Sequence, residues 1–448
     1  MKVAKFGGSS VANATQIKKV CDIIKSDDSR KFVVVSAPGK RNKEDIKVTD
    51  LLIELGDTYA SGKAYESVFE KIVKRYADII EELDLPKSLL DEITDSTKKT
   101  LESDEPDEIK FDAVKASGED SSARIVSAYL NKIGIQATYI NPKEAGMIVS
   151  NQPGNAQILP ESFPEINKLR DREGVLVIPG FFGYTANDKL MTFSRGGSDI
   201  TGSIIAAGVK AELYENFTDV DSVFSVNPNI VENPKEITVL TYKEMRELSY
   251  AGFSVFHDEA LIPAFQEKIP VCIKNTNNPS APGTMIVAEK EQNGNCVVGI
   301  ASDTDFCSLY VEKYLMNREV GFGRKLLQIL EDEHVSFEHV PSGIDDMSVI
   351  IRNSEFTPEK ETRVVERIQQ ELQVNTLKIR RNLAMIMVVG EGMKSTIGII
   401  SKATNAFAEA NVNIEMVNQG SSEVSIMFGI EEEGLERSIR SLYKAFFG

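Results

Sequence analysis

Short apolar runs alternate with longer amphipathic segments through residues 1–288 of this 448-residue chain. The apolar runs predict buried strands, which lie at Val3–Phe6, Phe32–Ser36, Ala137–Ile140 and Val175–Pro179. The amphipathic segments predict helices between the strands, among them Ala123–Ile133, Gly202–Ala207 and Glu259–Gln266. Apolar strands that alternate with helices are typical of a largely parallel sheet covered by helices on both faces. The pattern therefore predicts an α/β domain over residues 1–288.

A polar segment at Glu289–Asn295 precedes a region that repeats itself at a constant offset of 77 residues. HVSFEHV (334–340) aligns with NVNIEMV (411–417), and DMSVII (346–351) aligns with EVSIMF (423–428). Each repeat has the pattern strand, helix, two antiparallel strands, helix, and the first repeat adds the strand Asn375–Arg380. The second repeat lacks that last strand, which CVVGIA (296–301) is expected to supply. The prediction is two β-α-β-β-α-β units within 296–448, the first over about 304–381 and the second over about 296–301 plus 384–448.

Composition is that of a soluble globular protein, with 42% hydrophobic and 27% charged residues. The chain has 51 Lys and Arg against 68 Asp and Glu, a formal net charge of −17. An acidic chain is poorly suited to neutralise phosphates, which argues against nucleic-acid binding. Residues 81–108 carry −8 of this charge, from eleven acidic and three basic residues. We expect short helices there with a solvated outer face, and an acidic recognition patch is the alternative.

The longest apolar runs are far shorter than the roughly 20 residues that cross a bilayer, and the N-terminal MKVAKFGGSS does not resemble a signal peptide. We therefore expect a cytoplasmic protein without membrane contact. The four cysteines are widely spaced, which favours buried reduced thiols over bridges or metal ligands: Cys21, Cys272, Cys296 and Cys307. With three histidines in the whole chain, a histidine metal site is not expected.

The first candidate for chemistry is Lys5-Phe-Gly-Gly-Ser-Ser10, at the predicted end of the first strand. Gly7 and Gly8 allow the backbone to approach an anion, and successive N–H groups at the start of a helix can point at phosphate oxygens. Lys5 adds a compact positive charge. A tight turn beside a surface lysine is the alternative, and the spacing is not that of a Walker loop.

The second candidate is Phe193-Ser-Arg-Gly-Gly-Ser-Asp199, which precedes a helical segment. The guanidinium of Arg195 has the geometry to hold a carboxylate with two parallel hydrogen bonds. Ser198 and Asp199 lie where the helix would begin, so Asp199 is either an acid of the site or only a helix cap.

Two further polar segments complete the candidate site. Ser117-Gly118-Glu119 is predicted to be a loop, in which Glu119 either accepts from a substrate ammonium or only favours the start of the next helix. Thr218 and Asp219, followed by Phe224 and Asn227, suit either a nucleotide contact or an ordinary Asx turn. Because open α/β sheets bind ligands at the carboxyl ends of their strands, these segments suggest a site with phosphate at one end and an amino acid at the other.

The chain closely resembles the monofunctional aspartokinases of the amino acid kinase superfamily. The motifs that carry the resemblance occur in order along the chain: KFGGSS (5–10), VVSA (34–37), SGE (117–119), GFFG (180–183), SRGGSD (194–199), TDV (218–220) and NQGSSEVSIMF (418–428). The C-terminal repeats resemble tandem ACT domains, which have a ferredoxin-like fold, with one unit inserted in the other. The resemblance implies an amino acid kinase catalytic domain over 1–288 and a regulatory region over 296–448.

The resemblance also implies transfer of the γ-phosphoryl group of ATP to the β-carboxylate of L-aspartate, the entry step to lysine, threonine and methionine synthesis. Lys5 and Asp199 would act in catalysis. The residues expected to bind ATP are Lys5, Gly7, Gly8, Ser9, Thr218, Asp219 and Phe224. The residues expected to bind aspartate are Thr49, Glu119, Phe181, Arg195, Ser198 and Asp199. Mg²⁺ would accompany ATP, held mostly by phosphates rather than by a metal site of the protein.

The tandem ACT units imply feedback inhibition by an end-product amino acid, with lysine preferred, alone or with threonine. The expected effector contacts lie in the first unit: Phe322, Gly323, Ser336, Glu338 and Asp346. Glu338 lies where lysine-sensitive relatives carry an acid, and a surface acid on an edge strand is the alternative. ACT strands commonly pair across subunits, which implies a homodimer or a dimer of dimers.

A few positions depart from the family pattern at the nucleotide end of the site. Asn227 and Asn229 replace an acid and a base, Ser254 lies where a lysine is common, and Phe224 replaces a tyrosine. Another kinase of the superfamily and an inactive amino-acid sensor are the competing functions, and intact catalytic motifs disfavour the sensor.

Overall fold

The computed structural model describes residues 1–194, 196–253, 259–291, 296–420 and 422–448. These residues form two compact units. The first unit contains residues 1–223, 236–245 and the described residues up to 290. The second contains residues 224–235, 246–253 and the described residues from 291 to 448. Two short segments of the predicted catalytic domain are therefore grouped with the C-terminal region.

The first unit is built on a largely parallel sheet. The strands up to residue 290 are β1 (Lys2–Phe6), β2 (Arg30–Val35), β3 (Ala137–Tyr139), β4 (Val175–Pro179), β5 (Phe182–Tyr184), β6 (Leu190–Thr192), β7 (Leu213–Thr218), β8 (Val223–Phe224), β9 (Glu236–Ile237), β10 (Val239–Thr241), β11 (Val271–Asn275) and β12 (Thr284–Val287). Eight of them form one sheet in the order β10-β12-β11-β7-β1-β2-β4-β3. Six neighbouring pairs are parallel, and β11 with β12 is antiparallel, which confirms the predicted sheet.

Helices cover both faces of this sheet, as predicted. The helices described up to residue 290 are α1 (Ala14–Lys25), α2 (Val48–Ala60), α3 (Glu66–Glu82), α4 (Lys87–Leu101), α5 (Asp107–Lys132), α6 (Ser162–Asn167), α7 (Gly197–Gly208), α8 (Tyr242–Tyr250) and α9 (Ile262–Gln266). Because strand side chains alternate between faces, Ala4, Phe6, Val33 and Val35 share one face, where they form a core with α1, α2, α3 and α5. The other face, toward which Lys5 points, contacts α7. The acidic segment 81–108 forms α4 and its flanks, in agreement with the predicted short helices.

The second unit contains one antiparallel sheet covered by helices. Its elements are β13 (Gly299–Glu312), α10 (Phe322–Asp332), β14 (Asp346–Arg352), α11 (Pro358–Arg367), β15 (Thr376–Val389), α12 (Ile399–Glu409), β16 (Met416–Asn418), β17 (Ser425–Glu431) and α13 (Leu435–Phe447). The strand order is β14-β13-β15-β17-β16. The offset of 77 residues relates equivalent positions, since Gly321 (φ 83°) and Gly398 (φ 88°) both take the left-handed conformation just before α10 and α12.

The two long strands β13 and β15 each serve both repeats. Residues 306–312 of β13 pair with 376–383 of β15 in the first repeat, and residues 299–303 pair with 385–389 in the second. The first half of β13, which precedes the first repeat in the chain, therefore supplies the strand that the second repeat lacks.

One predicted strand is wrong. Residues 334–340 do not form a strand, and the backbone contacts β14 only through two isolated bridges, His339 with Ile350 and Ser342 with Met347. The N–H of Glu338 donates to the carbonyl of Ile350 over 2.8 Å. Pro341 has no N–H to donate, and its carbonyl accepts from the N–H of Ser348 over 2.9 Å, so the hydrogen bonds to β14 do not form a continuous ladder.

Candidate active site

Four neighbouring strands, β7, β1, β2 and β4, end at one edge of the first sheet, and the predicted site segments follow them. Gly7 and Gly8 follow β1, residues 36–49 follow β2, residues 180–181 follow β4, and Thr218 ends β7. Because the four strands are parallel, their carboxyl ends lie side by side, and this is the edge at which open α/β sheets bind ligands.

Lys5 is a buried cation at this edge. It is 6% exposed, and its Nζ lies 2.6 Å from Oδ1 of Asp199 on α7. The side-chain amide of Asn216 on β7 donates to the same oxygen over 2.5 Å. A Cβ built on Gly7 would lie 3.5 Å from Nζ of Lys5, so the ammonium lies directly beneath the glycine loop. The N-cap of α7 is Gly196, so the Asp199 carboxylate is a partner of Lys5 and not the cap of its helix.

The glycine loop after β1 is in backbone contact with the loop after β2. The N–H of Gly39 donates to the carbonyl of Gly8 over 2.8 Å. A Cβ on Gly39 would lie 2.6 Å from the carbonyl carbon of Gly8, and a Cβ on Gly8 would lie 3.0 Å from the carbonyl oxygen of Ala37. Side chains at these two glycines would push the loops apart. The loop continues as a short 3₁₀ helix, Gly8–Val11, in which Ser9 is exposed.

The segment after β4 packs on the start of α7. Phe181 has φ 80°, a left-handed conformation that is strained for a non-glycine residue, and its N–H donates to Oγ1 of Thr201 over 2.9 Å. A Cβ on Gly197 would lie 2.4 Å from the ring of Phe181, and a Cβ on Gly180 would lie 2.6 Å from Oγ of Ser198. The glycines therefore bring the predicted residues Phe181 and Ser198 close together.

Glu119 lies in the interior of α5, and the predicted loop over residues 117–119 is wrong. Gly118 does not end the helix. A Cβ at that position would lie 2.8 Å from Cβ of Ala37 and 3.0 Å from Cδ1 of Leu52, so the glycine lets α5 approach the loop after β2 and the helix that follows it. The residue serves close packing rather than a turn.

The carboxyl group of Glu119 is buried at this contact. The residue is 5% exposed, and Oε2 has no hydrogen-bond partner within the described part of the chain. Burial raises the pKa of Glu119 from 4.5 to about 8, and a backbone hydrogen bond from Ala37 and the charge of Lys5 partly oppose this rise. A buried acceptor without a partner is costly, and a ligand cation would satisfy it.

Three further predicted residues are Thr49, Thr218 and Asp219. Thr49 is the second residue of α2 and is half-buried. Oγ1 of Thr218 donates to Oδ1 of the exposed Asp219 over 3.1 Å. The predicted aspartate contact Arg195 lies outside the described residues, as does Ser254, one of the departures from the family pattern.

Asn227 and Asn229, which depart from the family pattern, belong to the second unit. Phe224, at the end of β8, belongs to the same unit. The N–H of Asn229 donates to Oδ1 of Asn227 over 2.9 Å. These two residues therefore form the Asx turn that the sequence left open as an alternative.

The sequence prediction missed two polar residues that support the cluster. Asn216 is buried in β7, and its side-chain amide donates to the carboxylate of Asp199. The only indication in the sequence was one amide side chain within the strand segment LYENFT (213–218). Tyr76 on α3 is buried, and its hydroxyl donates to the carbonyl of Gly118 over 3.3 Å, beside Glu119. An aromatic residue on an apolar helix face gives no sequence signal for this contact.

Comparison with known proteins settles the family. Residues 1–275 match the amino acid kinase family, and residues 386–446 match the ACT domain. Aspartokinase 3 of Bacillus subtilis (strain 168) is 55% identical over 448 residues, which cover 100% of this chain and 99% of that protein. The chain belongs to the aspartokinases. Aspartokinase 1, chloroplastic, of Arabidopsis thaliana is 30% identical over 462 residues, which cover 99% of this chain and 80% of that protein.

Solved structures extend the match to the whole fold. The crystal structure of Clostridium acetobutylicum aspartate kinase, described as an allosteric enzyme, superposes with a TM-score of 0.89 at 40% identity and covers 100% of both chains. E. coli aspartokinase III in complex with aspartate and ADP has the same fold, with a TM-score of 0.80 at 24% identity and 100% coverage of both chains. In the described ranges no helix is both long and apolar enough to cross a membrane.

The predicted effector residues of this aspartokinase-family chain do not all meet in one place. Phe322 and Gly323 begin α10, and a Cβ on Gly323 would lie 3.3 Å from Cε of Met347. Ser336 is exposed. Asp346 lines a cavity of about 580 Å³ on the sheet, and the other four predicted residues are not among its lining residues.

Glu338, the expected acceptor of an effector ammonium, already has two partners in the second unit. It accepts hydrogen bonds from the hydroxyl of Tyr250 and from Nε of Arg352, the latter over 3.0 Å. Arg352 also pairs with Asp303 over 2.8 Å. A ligand ammonium at Glu338 would therefore have to compete with the tyrosine hydroxyl.

Proposed function

We propose that this chain transfers the γ-phosphoryl group of ATP to the β-carboxylate of L-aspartate, which gives 4-phospho-L-aspartate and ADP. The observation that carries the proposal is the buried ion pair of Lys5 with Asp199 beneath Gly7. It supplies a cation where the glycine loop would bind phosphate, in a chain of the aspartokinase family. Phosphoryl transfer needs positioning and charge stabilisation more than covalent chemistry by the protein.

Lys5 would stabilise the charge on the oxygens of the transferring phosphoryl group. In the free protein Asp199 holds the ammonium of Lys5, and Asn216 holds Asp199. A phosphate beneath the glycine loop would compete with Asp199 for this ammonium. The Asp199 carboxylate would then be available to the ammonium of the incoming aspartate.

Aspartate would be bound at both of its α-substituents. Arg195 would hold the α-carboxylate, and Glu119 and Asp199 would take the ammonium. Glu119 suits this role because one of its carboxylate oxygens is buried without a partner among the described residues. The other residues proposed to contact aspartate are Thr49, Phe181 and Ser198.

The nucleotide would lie across the loop after β1 and the end of β7. Gly7, Gly8 and Ser9 would offer backbone N–H groups to the phosphates, and Thr218, Asp219 and Phe224 are proposed to contact the rest of ATP. Mg²⁺ would neutralise phosphate charge and be held mainly by phosphate oxygens, since this small cation usually keeps several waters and few protein ligands.

A hydroxylamine trapping assay tests the proposed reaction, because hydroxylamine converts the acyl phosphate to a hydroxamate. We expect hydroxamate that depends on aspartate, ATP and Mg²⁺, and a much lower rate with glutamate, whose extra methylene misplaces the reacting carboxylate. Equal rates with glutamate and aspartate would refute the substrate assignment. No hydroxamate with either amino acid would favour the inactive sensor.

Regulation by an end-product amino acid is the second part of the proposal. It is supported by the two repeats of the C-terminal region and by the ACT-domain match over 386–446. We propose lysine, alone or with threonine, as the effector, with contacts from Phe322, Gly323, Ser336, Glu338 and Asp346. We also propose a cytoplasmic homodimer or dimer of dimers that assembles through the ACT units.

Glu338→Gln is expected to raise the lysine concentration for half-inhibition by about 10-fold, because a neutral amide loses the charge-assisted hydrogen bond to the ε-ammonium. Inhibition is measured with lysine, with threonine and with both together. Glu415 occupies the equivalent position of the second repeat and also pairs with an arginine, Arg380. Glu415→Gln is therefore the matched control and should leave inhibition by lysine unchanged. If only Glu415→Gln raised the lysine concentration for half-inhibition, the effector site would lie in the second repeat instead of the first.

A further inference from the structure

A buried arginine that is not among the predicted site residues lies against the loops of the candidate active site. Arg75 is 5% exposed and belongs to the buried face of α3. We infer that Arg75 is a positioning residue, which fixes the loops after β1 and β2 relative to each other so that phosphate and aspartate are held in register for transfer. The inference rests on the proposed function for its catalytic consequence.

The guanidinium of Arg75 reaches three separate segments. Nη2 donates to the carbonyl of Gly39 over 2.9 Å and to the carbonyl of Ala12 over 3.3 Å. Nη1 donates to Oδ2 of Asp45 over 2.9 Å and to the carbonyl of Ile46 over 3.0 Å. Four oxygen acceptors from residues 12, 39, 45 and 46 thus converge on one planar group.

Each of these segments adjoins a proposed ligand contact. Ala12 directly follows the short 3₁₀ helix Gly8–Val11. Gly39 donates its N–H to the carbonyl of Gly8 over 2.8 Å, so a shift of Gly39 moves the phosphate loop directly. Ile46 lies just before α2, whose second residue is Thr49. Arg75 is not among the proposed ligand contacts, and it therefore links the phosphate end of the site with the aspartate end through the protein backbone.

The chemistry of the group explains why arginine occupies this position. A fixed planar fork can donate in several directions at once, whereas the ammonium of lysine is a compact point charge that cannot span the four acceptors. Burial and the neighbouring Arg41 lower the pKa of Arg75, and Asp45 opposes that effect. A buried cation on an apolar helix face is costly, and the ion pair with Asp45 and the hydrogen bonds to three backbone carbonyls offset the cost.

The neighbouring residue strengthens the inference. Tyr76 donates to the carbonyl of Gly118, which precedes the buried Glu119. Two consecutive residues of α3 thus make these contacts: Arg75 donates to the loops after β1 and β2, and Tyr76 donates to α5, the helix that carries Glu119. Displacement of reacting groups by about 1 Å can cost about 100-fold in rate, so even a small shift of these segments is measurable.

Arg75→Met and Arg75→Lys are compared with Arg30→Met and Arg30→Lys in the full-length protein. Arg30 is a matched control because it is 8% exposed and paired with the buried Glu215, but it begins β2 at the opposite end of the strand. We expect Arg75→Met to lower kcat for aspartate phosphorylation by about 100-fold, with a smaller change in KM. Arg75→Lys is expected to restore only part of the lost kcat. The Arg30 variants are expected to lower Tm comparably and to keep kcat within a few-fold of wild type.

Amide hydrogen exchange supplies a readout that is independent of catalysis. Exchange is expected to accelerate over residues 8–12 and 37–48 in the Arg75 variants, and not in the Arg30 variants. Equal losses of kcat in both series after correction for folded fraction, or unchanged exchange in these loops, would overturn the inference. If Arg75→Met does not fold, Arg75→Lys decides by the same two measurements. A wild-type protein that makes no hydroxamate would refute the proposed function, and loop exchange would still test the role of Arg75.

Discussion

Lys5→Met is expected to lower kcat by about 1000-fold while the protein stays folded. The variant keeps the aliphatic stem in the buried position at the end of β1 and removes only the charge beside Gly7. Asp199 retains the hydrogen bond from Asn216, so its carboxylate is not left without a partner. Because the lost charge stabilises the transition state more than the bound substrates, the loss should appear in kcat more than in KM. Steady-state hydroxamate assays at saturating ATP and aspartate measure it.

Lys2→Met is the matched control for this result. Lys2 lies on the same strand and pairs with Asp27 over 2.7 Å, but at the opposite end of β1. It should change kcat by less than a factor of about two, as expected for a half-exposed surface ion pair. Normal turnover by Lys5→Met would show that the phosphate site lies elsewhere.

Glu119→Gln is expected to raise KM for aspartate by about 100-fold, because the amide cannot supply the charge that the substrate ammonium requires. Burial raises the pKa of Glu119 to about 8, so the free protein holds a proton on this carboxyl at neutral pH. Binding of the ammonium should release that proton. Aspartate affinity should therefore rise as pH increases toward 8 in the wild type, and this dependence should be lost in the variant. Titration calorimetry in buffers of different ionisation enthalpy counts the released protons.

The same carboxyl gives a second, ligand-free readout. The folded pKa of about 8 lies above the ordinary value of 4.5, so between these pH values the folded chain binds a proton that the unfolded chain has lost. The contribution of Glu119 to the free energy of unfolding is therefore full below about pH 4.5 and falls as pH rises to about 8. Glu119→Gln removes this slope, which a series of thermal unfolding curves across pH detects. Asp120→Asn, which changes the adjacent residue paired with Arg124, should keep both the slope and the aspartate affinity. An unchanged slope in Glu119→Gln would contradict the assigned proton.

The parts of the fold that depend on local pattern could be predicted from the sequence. The strands β2 and β4 contain continuous apolar runs, Phe32–Val35 and Val175–Pro179, because both faces of each strand are buried, and that composition is visible without a structure. Lys5 and Gly7 stood out because a charge and a glycine pair end such a run. The equivalent glycines before α10 and α12 were likewise visible, since a repeat preserves the position of a left-handed residue.

Contacts made by tertiary approach could not be predicted in this way. Gly118 has the usual signal of a loop, and the close approach of Ala37 and Leu52 to α5 explains why a glycine lies inside a helix. Arg75 falls on the apolar stripe of α3, where helical spacing predicts a hydrophobic core residue. Asn216 is one amide in a strand. Each of these residues acts through partners that are distant in the sequence.

The shared strand β13 has a consequence for how the C-terminal region is made. Its residues 299–303 leave the ribosome long before residues 385–389, with which they pair in the finished sheet. Throughout that interval the backbone groups of this half-strand lack their final partner, and an unpaired strand is a template for association with neighbouring nascent chains. The sheet of the second repeat can therefore be completed only after the whole first repeat has been synthesised.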